Sequence, residues 1–363
     1  MLEASLENLL RPELAELSPY VPVQGEFAVR LDANEAPPLL GSSARARLAA
    51  GAAATAWERY PDARHTLLRA AIAERCGVTP EEVLIGVGSD EIITLLSTVV
   101  CRPRSESQPA TLLTTTPTFV MYRMSARVRG LRVIEVPLDD TWDIAEKPLL
   151  QALEMTLPNL VFVASPNNPT GRLANRERLI SLIEAARGAL VVIDEAYVDY
   201  ASGDHLELYR KYPHVAILRT LSKIGFAAIR IGWLLARPAL IAELDKARLP
   251  YNVSSPCQAL ATIALRELGA ELEGVTRSVV NERLRLSEEL GKLEGVEVTP
   301  SDANFIWFRT RRPAGEVFDA LAARGVLVRS FHQRGGRLLH QLRVTVGTAE
   351  ENAAFLRAVR EVA

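Results

Sequence analysis

Val215-Ala216-Ile217-Leu218-Arg219-Thr220-Leu221-Ser222-Lys223 begins as a short apolar run and ends in hydroxyls and a lysine. The apolar half reads as a buried strand and the polar half as the loop at its carboxyl end. The chain continues Ile224-Gly225-Phe226-Ala227-Ala228-Ile229-Arg230, so an amine, two hydroxyls and a guanidinium gather beside one strand end. A lysine among small and apolar residues is a candidate Schiff-base former, because desolvation disfavours an ammonium ion and leaves an amine able to attack an aldehyde. Of the five lysines, Lys147, Lys211, Lys246 and Lys292 lie in polar or charged surroundings. Lys223 alone has this neighbourhood, although an ordinary lysine at a strand end fits the local pattern equally well.

Moving outward, the same alternation recurs. Val83-Leu84-Ile85 leads into Gly86-Val87-Gly88-Ser89-Asp90 and a helix over 91–100, and Leu112-Leu113-Thr114 leads into Pro117-Thr118-Phe119. Leu160-Val161-Phe162-Val163 leads into Ser165-Pro166-Asn167-Asn168-Pro169-Thr170-Gly171, and Leu190-Val191-Val192-Ile193 into Asp194-Glu195-Ala196-Tyr197; Gly232-Trp233-Leu234-Leu235 is a further strand. Short apolar strands alternating with helical stretches predict an α/β fold with a largely parallel sheet covered by helices. Ligands of such sheets gather at the carboxyl ends of the strands, and the polar residues of interest fall there.

Around Leu249-Pro250-Tyr251-Asn252 the pattern changes. Residues 256–290 read as one long helix, and strands at 296–298, 305–308, 326–328 and 342–346, with helices over 315–324 and 349–362, predict a smaller α+β domain. Upstream, Pro12, Pro19, Pro22, Pro37 and Pro38 suit an arm that wraps another surface. Helices are expected over 44–57 and 66–76, the second stopped by Gly77, and a polar surface loop over 102–109. The expected organisation is an arm over 1–38, a large domain over 39–250 and a small domain over 251–363.

The 363 residues, 48% apolar and 24% charged, describe a globular chain long enough for a large core. A net charge of −2 and the absence of a basic run predict no attraction to nucleic acid or anionic membrane, and point to small-molecule partners. Cys76, Cys101 and Cys257 are odd in number and far apart, which predicts neither disulfides nor zinc and fits a reducing cytoplasm. His65, His205, His214, His332 and His340 show no metal-ligand spacing, so no metal is expected. Glu3 and Glu7 replace a basic leader start, and no apolar run approaches the ~20 residues of a membrane span.

Each strand end carries a separate chemistry. Asp194 could pair with a protonated ring nitrogen of a bound heterocycle, or cap a helix. The loop with Asn168 is stiffened by its two prolines and could present an amide to a ring hydroxyl, or be a plain tight turn. Gly86 to Glu91 puts small residues at the mouth of a helix, where free N–H groups and the helix dipole favour phosphate. Amine, acid, amide, the Tyr197 phenol and a phosphate cradle together fit pyridoxal phosphate.

These same stretches carry a family resemblance. Ser165-Pro-Asn-Asn-Pro-Thr-Gly171, Asp194-Glu-Ala-Tyr197 and Thr220-Leu-Ser-Lys223 with Arg230 resemble the fold-type I, class-II aminotransferases dependent on pyridoxal 5'-phosphate. Leu31-Asp-Ala-Asn-Glu35, Arg59-Tyr-Pro61, Leu218-Arg-Thr-Leu-Ser-Lys223 and Leu342-Arg-Val-Thr-Val-Gly347, in this order, resemble the histidinol-phosphate aminotransferase family. The resemblance implies a mostly parallel seven-stranded sheet between helices in the large domain. It implies that Lys223 holds the cofactor and shuttles the proton at the reacting carbon, that Asp194 keeps the pyridine nitrogen protonated, and that Asn168 and Tyr197 bind the ring hydroxyl. Phe119, where the family often has tyrosine, would stack on the ring. Ser222, Arg230, Thr220 and backbone groups of Ser89 and Asp90 would bind the phosphate, joined by Tyr60 from the partner subunit of a homodimer.

For substrates, the resemblance implies L-histidinol phosphate with glutamate and 2-oxoglutarate, a place in histidine biosynthesis, and a cytoplasmic enzyme. Arg343 matches the carboxylate-binding arginine, and Tyr20, Asn34 and Arg329 complete the expected substrate residues. A buried arm tyrosine and a strand-end ion pair are the ordinary alternatives for Tyr20 and Arg329. The rival activities are an aromatic amino-acid aminotransferase, a decarboxylase of a phosphorylated amino acid, and a non-catalytic sensor on the same scaffold.

Overall fold

A computed structural model describes residues 8–19, 21 and 23–362. After the two-residue strand β1 (Val29–Arg30), one sheet is built from β2 (Val83–Val87), β3 (Thr111–Thr116), β4 (Arg132–Pro137), β5 (Leu160–Ala164), β6 (Leu190–Asp194), β7 (Val215–Thr220) and β8 (Ile231–Leu235). Its seven strands lie in the order β2-β8-β7-β6-β5-β3-β4. The pairs from β7 through β4 are parallel, and β8 is antiparallel to both β7 and β2. Every residue of β5 and β7 is buried, as a sheet covered on both faces requires.

The strand runs expected between residues 83 and 235 all lie within this sheet, and β4 is the one that the sequence pattern hides. It is an edge strand whose Arg132, Glu135 and Pro137 interrupt the apolar alternation; charge and proline are what an edge tolerates. Because β4 lies on one side of β3 and β5 on the other, the chain direction reverses beside β3, where an open α/β sheet has its crevice. Register then aligns the loops: Ala164 pairs with Asp194, and Asp194 with Leu218. The loops holding Asn168, Asp194 and Lys223 therefore leave the sheet side by side, one strand spacing of about 4.8 Å apart.

A second, antiparallel sheet is formed by β9 (Val296–Thr299), β10 (Phe305–Thr310), β12 (Arg329–Ser330) and β13 (Gln341–Thr345), while β11 (Val326–Leu327) pairs in parallel with β1. The strand expected over 326–328 ends at Leu327, and after Val328 a separate strand of the second sheet begins, which sets Arg329 directly opposite Arg343. Strand alternation sorts β10: Ile306 and Phe308 enter the helix-covered core, while Phe305 meets Tyr197 and Trp307 meets Trp142 across the cleft. Arg343 and Thr345, paired with Trp307 and Phe305, share that cleft-facing side.

Two helix expectations change. The helix expected over 256–290 is two, Ser255–Glu267 and Gly269–Gly291, separated at Leu268, whose ψ of 21° leaves helical geometry before a glycine that favours a break. The alanine-rich helix expected over 44–57 is Ser42–Ala53. Thr66–Cys76 matches its expected bounds, with Gly77 in the left-handed conformation after it. Among the described residues no helix is long and apolar enough to cross a membrane.

Candidate active site

The lysine loop is tied down at several points. The Thr220 hydroxyl donates to the Ile231 carbonyl at 2.8 Å and accepts from the Ser222 N–H at 3.1 Å, folding the loop back on β8. Arg230 stands in the left-handed region at φ 54°. Its Nη1 donates to Ser222 Oγ at 3.2 Å, its carbonyl accepts from the Gly88 N–H at 2.9 Å, and its Nη2 lies 3.7 Å from the Asp90 carboxylate. The helix Gly88–Val99 begins here with no side-chain cap, so the N–H groups of its first turn and its positive end are offered to an anion.

Two glycines make this approach possible. A Cβ on Gly88, at φ 72°, would stand 2.6 Å from Arg230 Nη2, and a Cβ on Gly232 would stand 2.5 Å from both Gly88 C and Ser89 N. Any side chain at either position would fill the cradle.

Asp194 ends β6 and is only 4% exposed. Burial pushes its pKa up to about 6, against the opposing pull of hydrogen bonds from the Tyr122 hydroxyl to Oδ2 at 2.5 Å and from the Ala196 N–H to Oδ1 at 3.0 Å. Burial also raises the Tyr122 phenol, which keeps it a donor; its ring stacks on Phe162 at 4.7 Å and meets Phe119 edge-on at 5.6 Å. Sequence reasoning missed Tyr122, because one aromatic in Met121-Tyr122-Arg123 reads as ordinary helix packing. It also missed the buried support beneath the site, where Glu195 accepts from His205 Nδ1 at 2.9 Å and from Arg219 Nε at 2.7 Å, bracing the two loops that carry Asp194 and Lys223.

On the other side, Asn34 Nδ2 donates to the Tyr197 hydroxyl at 2.9 Å, and the Lys223 amine lies 5.7 Å from the centre of the Tyr197 ring. Asn34 is itself held at φ 57°, with its N–H on Thr345 Oγ1 at 3.0 Å. Arg343 donates to Asn168 Oδ1 at 2.7 Å and to the Asp32 carbonyl. Asn167, which drew no attention in the sequence, accepts from Thr118 at 2.8 Å and donates to the Pro117 carbonyl at 3.0 Å, clamping the loop after β3 to the loop after β5.

These groups enclose one cavity of about 370 Å³. Lys223, Asp194, Tyr197, Asn168, Phe119 and Asn34 line it, as do Ser89, Asp90, Thr220, Ser222 and Arg230 at one end and Arg329 and Arg343 at the mouth. Arg334, not anticipated from the sequence, lines the mouth as well. Tyr60 is not among the lining residues; it is 82% exposed and stacks on Tyr251 at 4.7 Å. Tyr20 lies outside the described residues.

Comparison with known proteins decides which chemistry this arrangement serves. Residues 28–359 match the family described as aminotransferase class I and II. A histidinol-phosphate aminotransferase of Nitrosococcus oceani is 39% identical over 367 residues, covering 99% of both chains, and that of Aquifex aeolicus is 38% identical, covering 97% of this chain and 98% of its own. The chain belongs to the class I and II aminotransferases, in the histidinol-phosphate aminotransferase family. Among solved structures, the histidinol-phosphate aminotransferase of Sinorhizobium meliloti in complex with pyridoxal-5'-phosphate superposes with a TM-score of 0.85 at 26% identity, covering 96% of each chain.

The aminotransferase's cavity fits such a group by its donor set and its shape. The acid, the amine and the anion cradle occupy three separate sides, and the cradle is the space that a Cβ at Gly88 or Gly232 would take.

Proposed function

We propose that this chain transfers an amino group between L-histidinol phosphate and 2-oxoglutarate, giving imidazole-acetol phosphate and L-glutamate, in histidine biosynthesis. The observation that carries the reading is the set of arginines at the cavity mouth, with Arg329 directly opposite Arg343. Two adjacent guanidiniums suit a phosphate monoester better than an aromatic side chain. Steady-state transamination with L-histidinol phosphate and, separately, L-phenylalanine tests it: the phosphorylated donor is expected to have the higher kcat/KM by at least about tenfold, since one charge-assisted contact is worth that much.

When bound, pyridoxal 5'-phosphate supplies an aldehyde for the amino group and a ring that accepts electrons from a carbon losing its proton. Lys223 would be the covalent anchor of that group and, when its amine is free, the base that takes the proton from the donor carbon and delivers it to the former aldehyde carbon. Asp194 would hold a proton on the ring nitrogen, Asn168 and Tyr197 would meet the ring hydroxyl, and Phe119 would cover the ring. Ser89, Asp90, Thr220, Ser222 and Arg230 hold the phosphate. Arg343 takes the α-carboxylate of glutamate and, with Arg329 and Tyr20, the phosphate of L-histidinol phosphate, while Asn34 fixes the Tyr197 hydroxyl.

The working unit in this proposal is a homodimer in the cytoplasm. Trp57 is 77% and Leu249 71% exposed around the Tyr60–Tyr251 stack, and such aromatic exposure favours burial against a second copy, where Tyr60 reaches the partner's phosphate cradle. The arm over 1–38, large domain over 39–250 and small domain over 251–363 belong to the same proposal, with the cavity between the two sheets.

A further inference from the structure

Arg334 ends the short 3-10 turn His332–Arg334, the first of two such turns between β12 and β13, and lines the same cavity as Arg329 and Arg343. Nearby arginines are engaged: Arg343 with Asn168 and Asp32, Arg337 over the Trp142 ring and on the Leu138 and Asp139 carbonyls, and Arg123 with Glu135 at 3.9 Å. Among the described residues no hydrogen bond, ion pair within 4 Å or ring contact engages the Arg334 guanidinium. Arg334 is solvent-exposed overall, and partial desolvation, then repulsion from Arg123 and Arg329, disfavours its charged form, with Glu135 offsetting only part. A guanidinium left in like-charged surroundings is relieved when an anion enters.

We propose that Arg334 is a specificity-determining residue that, with Arg329 and Arg343, reads the double negative charge of the phosphate monoester on the amino donor. The inference rests on the reaction proposed above and assigns it a residue. A phosphate monoester carries about −1.5 to −2 charge on three acceptor oxygens, more than one arginine fork can meet. A single carboxylate is satisfied by one fork. The further unpaired guanidinium therefore has work to do for a phosphorylated donor and none for L-phenylalanine or for L-histidinol, the same donor without its phosphoryl group.

The test is the single-turnover reaction of holoenzyme with L-histidinol phosphate, L-histidinol and L-phenylalanine, followed by the absorbance of the bound cofactor, in wild type, Arg334→Gln and Arg334→Lys. Arg334→Gln is expected to lower the second-order rate constant for L-histidinol phosphate by about 10- to 100-fold, through weaker binding more than through the maximal rate. The constants for L-histidinol and L-phenylalanine stay within about threefold, and Arg334→Lys recovers part of the loss, because it restores charge without the fork. Inorganic phosphate, as a competitor of L-histidinol phosphate, is expected to bind Arg334→Gln correspondingly more weakly. Equal loss for all three donors would make Arg334 structural and overturn the inference, as would an unchanged preference for the phosphorylated donor. If the wild type does not prefer L-histidinol phosphate over L-histidinol, the proposed reaction fails and the inference fails with it.

Discussion

Tyr122 donates a 2.5 Å hydrogen bond to Oδ2 of Asp194 at the floor of the cavity, and both residues are withdrawn from water. A buried carboxylate is costly unless donors meet it, and this phenol is one of two. Tyr122→Phe keeps the packing against Phe162 and removes the donor. Losing a hydrogen bond to a charged group costs about 1.5–3 kcal/mol, so the mutant apoprotein should bind pyridoxal phosphate at least about tenfold more weakly in an absorbance titration. Unchanged affinity would show that the phenol does not support the acid.

Asp194→Asn separates stability from function. The folded pKa of Asp194 is raised from 3.8 to about 6, so the folded apoprotein retains a proton in that window that the unfolded chain has released. Stability from this group is therefore full below about pH 4 and is lost as pH rises through 6, a difference of up to about 3 kcal/mol. The asparagine variant escapes that loss. Its apoprotein should melt above wild type at pH 8, by about 1–3 kcal/mol, with the gap closing toward pH 4. Its turnover should fall on the order of 100-fold or more, because a fixed charge partner is gone. Melting curves of the two apoproteins that keep a constant offset across this range would contradict the assignment.

Gly232→Ala tests the anion cradle. The added Cβ meets backbone atoms of Gly88 and Ser89 at 2.5 Å, which cannot be relieved by a rotamer change. A cost of about 1–3 kcal/mol and a cofactor phosphate bound at least about tenfold more weakly are expected. Gly274→Ala is the control: it lies within the helix Gly269–Gly291 with nothing within 4 Å of the new Cβ, and should stabilise by about 0.5–1 kcal/mol without affecting the cofactor. Both are read by thermal melting and absorbance titration.

Tyr60 is examined by mixing subunits. Tyr60→Ala and Lys223→Ala homodimers should each be impaired, the second abolishing turnover. In a mixed dimer one site carries both defects and the other carries neither, so half of the wild-type sites should return. If mixing recovers nothing while mixed dimers form, Tyr60 does not serve the opposite subunit.

How far the sequence revealed this arrangement follows from how local each signal is. Asp194 and Lys223 were legible because each follows an apolar strand, and the sheet register then does the rest. β4 was hidden because an edge strand need not be apolar, and the break at Leu268 because a helical pattern persists across one non-helical residue. Tyr122 and Arg334 had no sequence signature at all. Each acquires its place from groups on other elements: Tyr122 reaches from the helix after β3 to the end of β6, and Arg334 stands on a turn within the field of Arg123 and Glu135. Such roles depend on tertiary geometry, which no spacing rule encodes.

The most direct measurement of the central claim is an absorbance titration of the purified holoenzyme with L-histidinol phosphate and, in parallel, with L-phenylalanine. The account predicts that L-histidinol phosphate exhausts the visible band of the lysine-bound cofactor at far lower concentration than L-phenylalanine, and that Lys223→Ala shows neither the band nor turnover. Conversion by L-phenylalanine at the lower concentration would contradict the substrate, and turnover by Lys223→Ala would contradict the site itself.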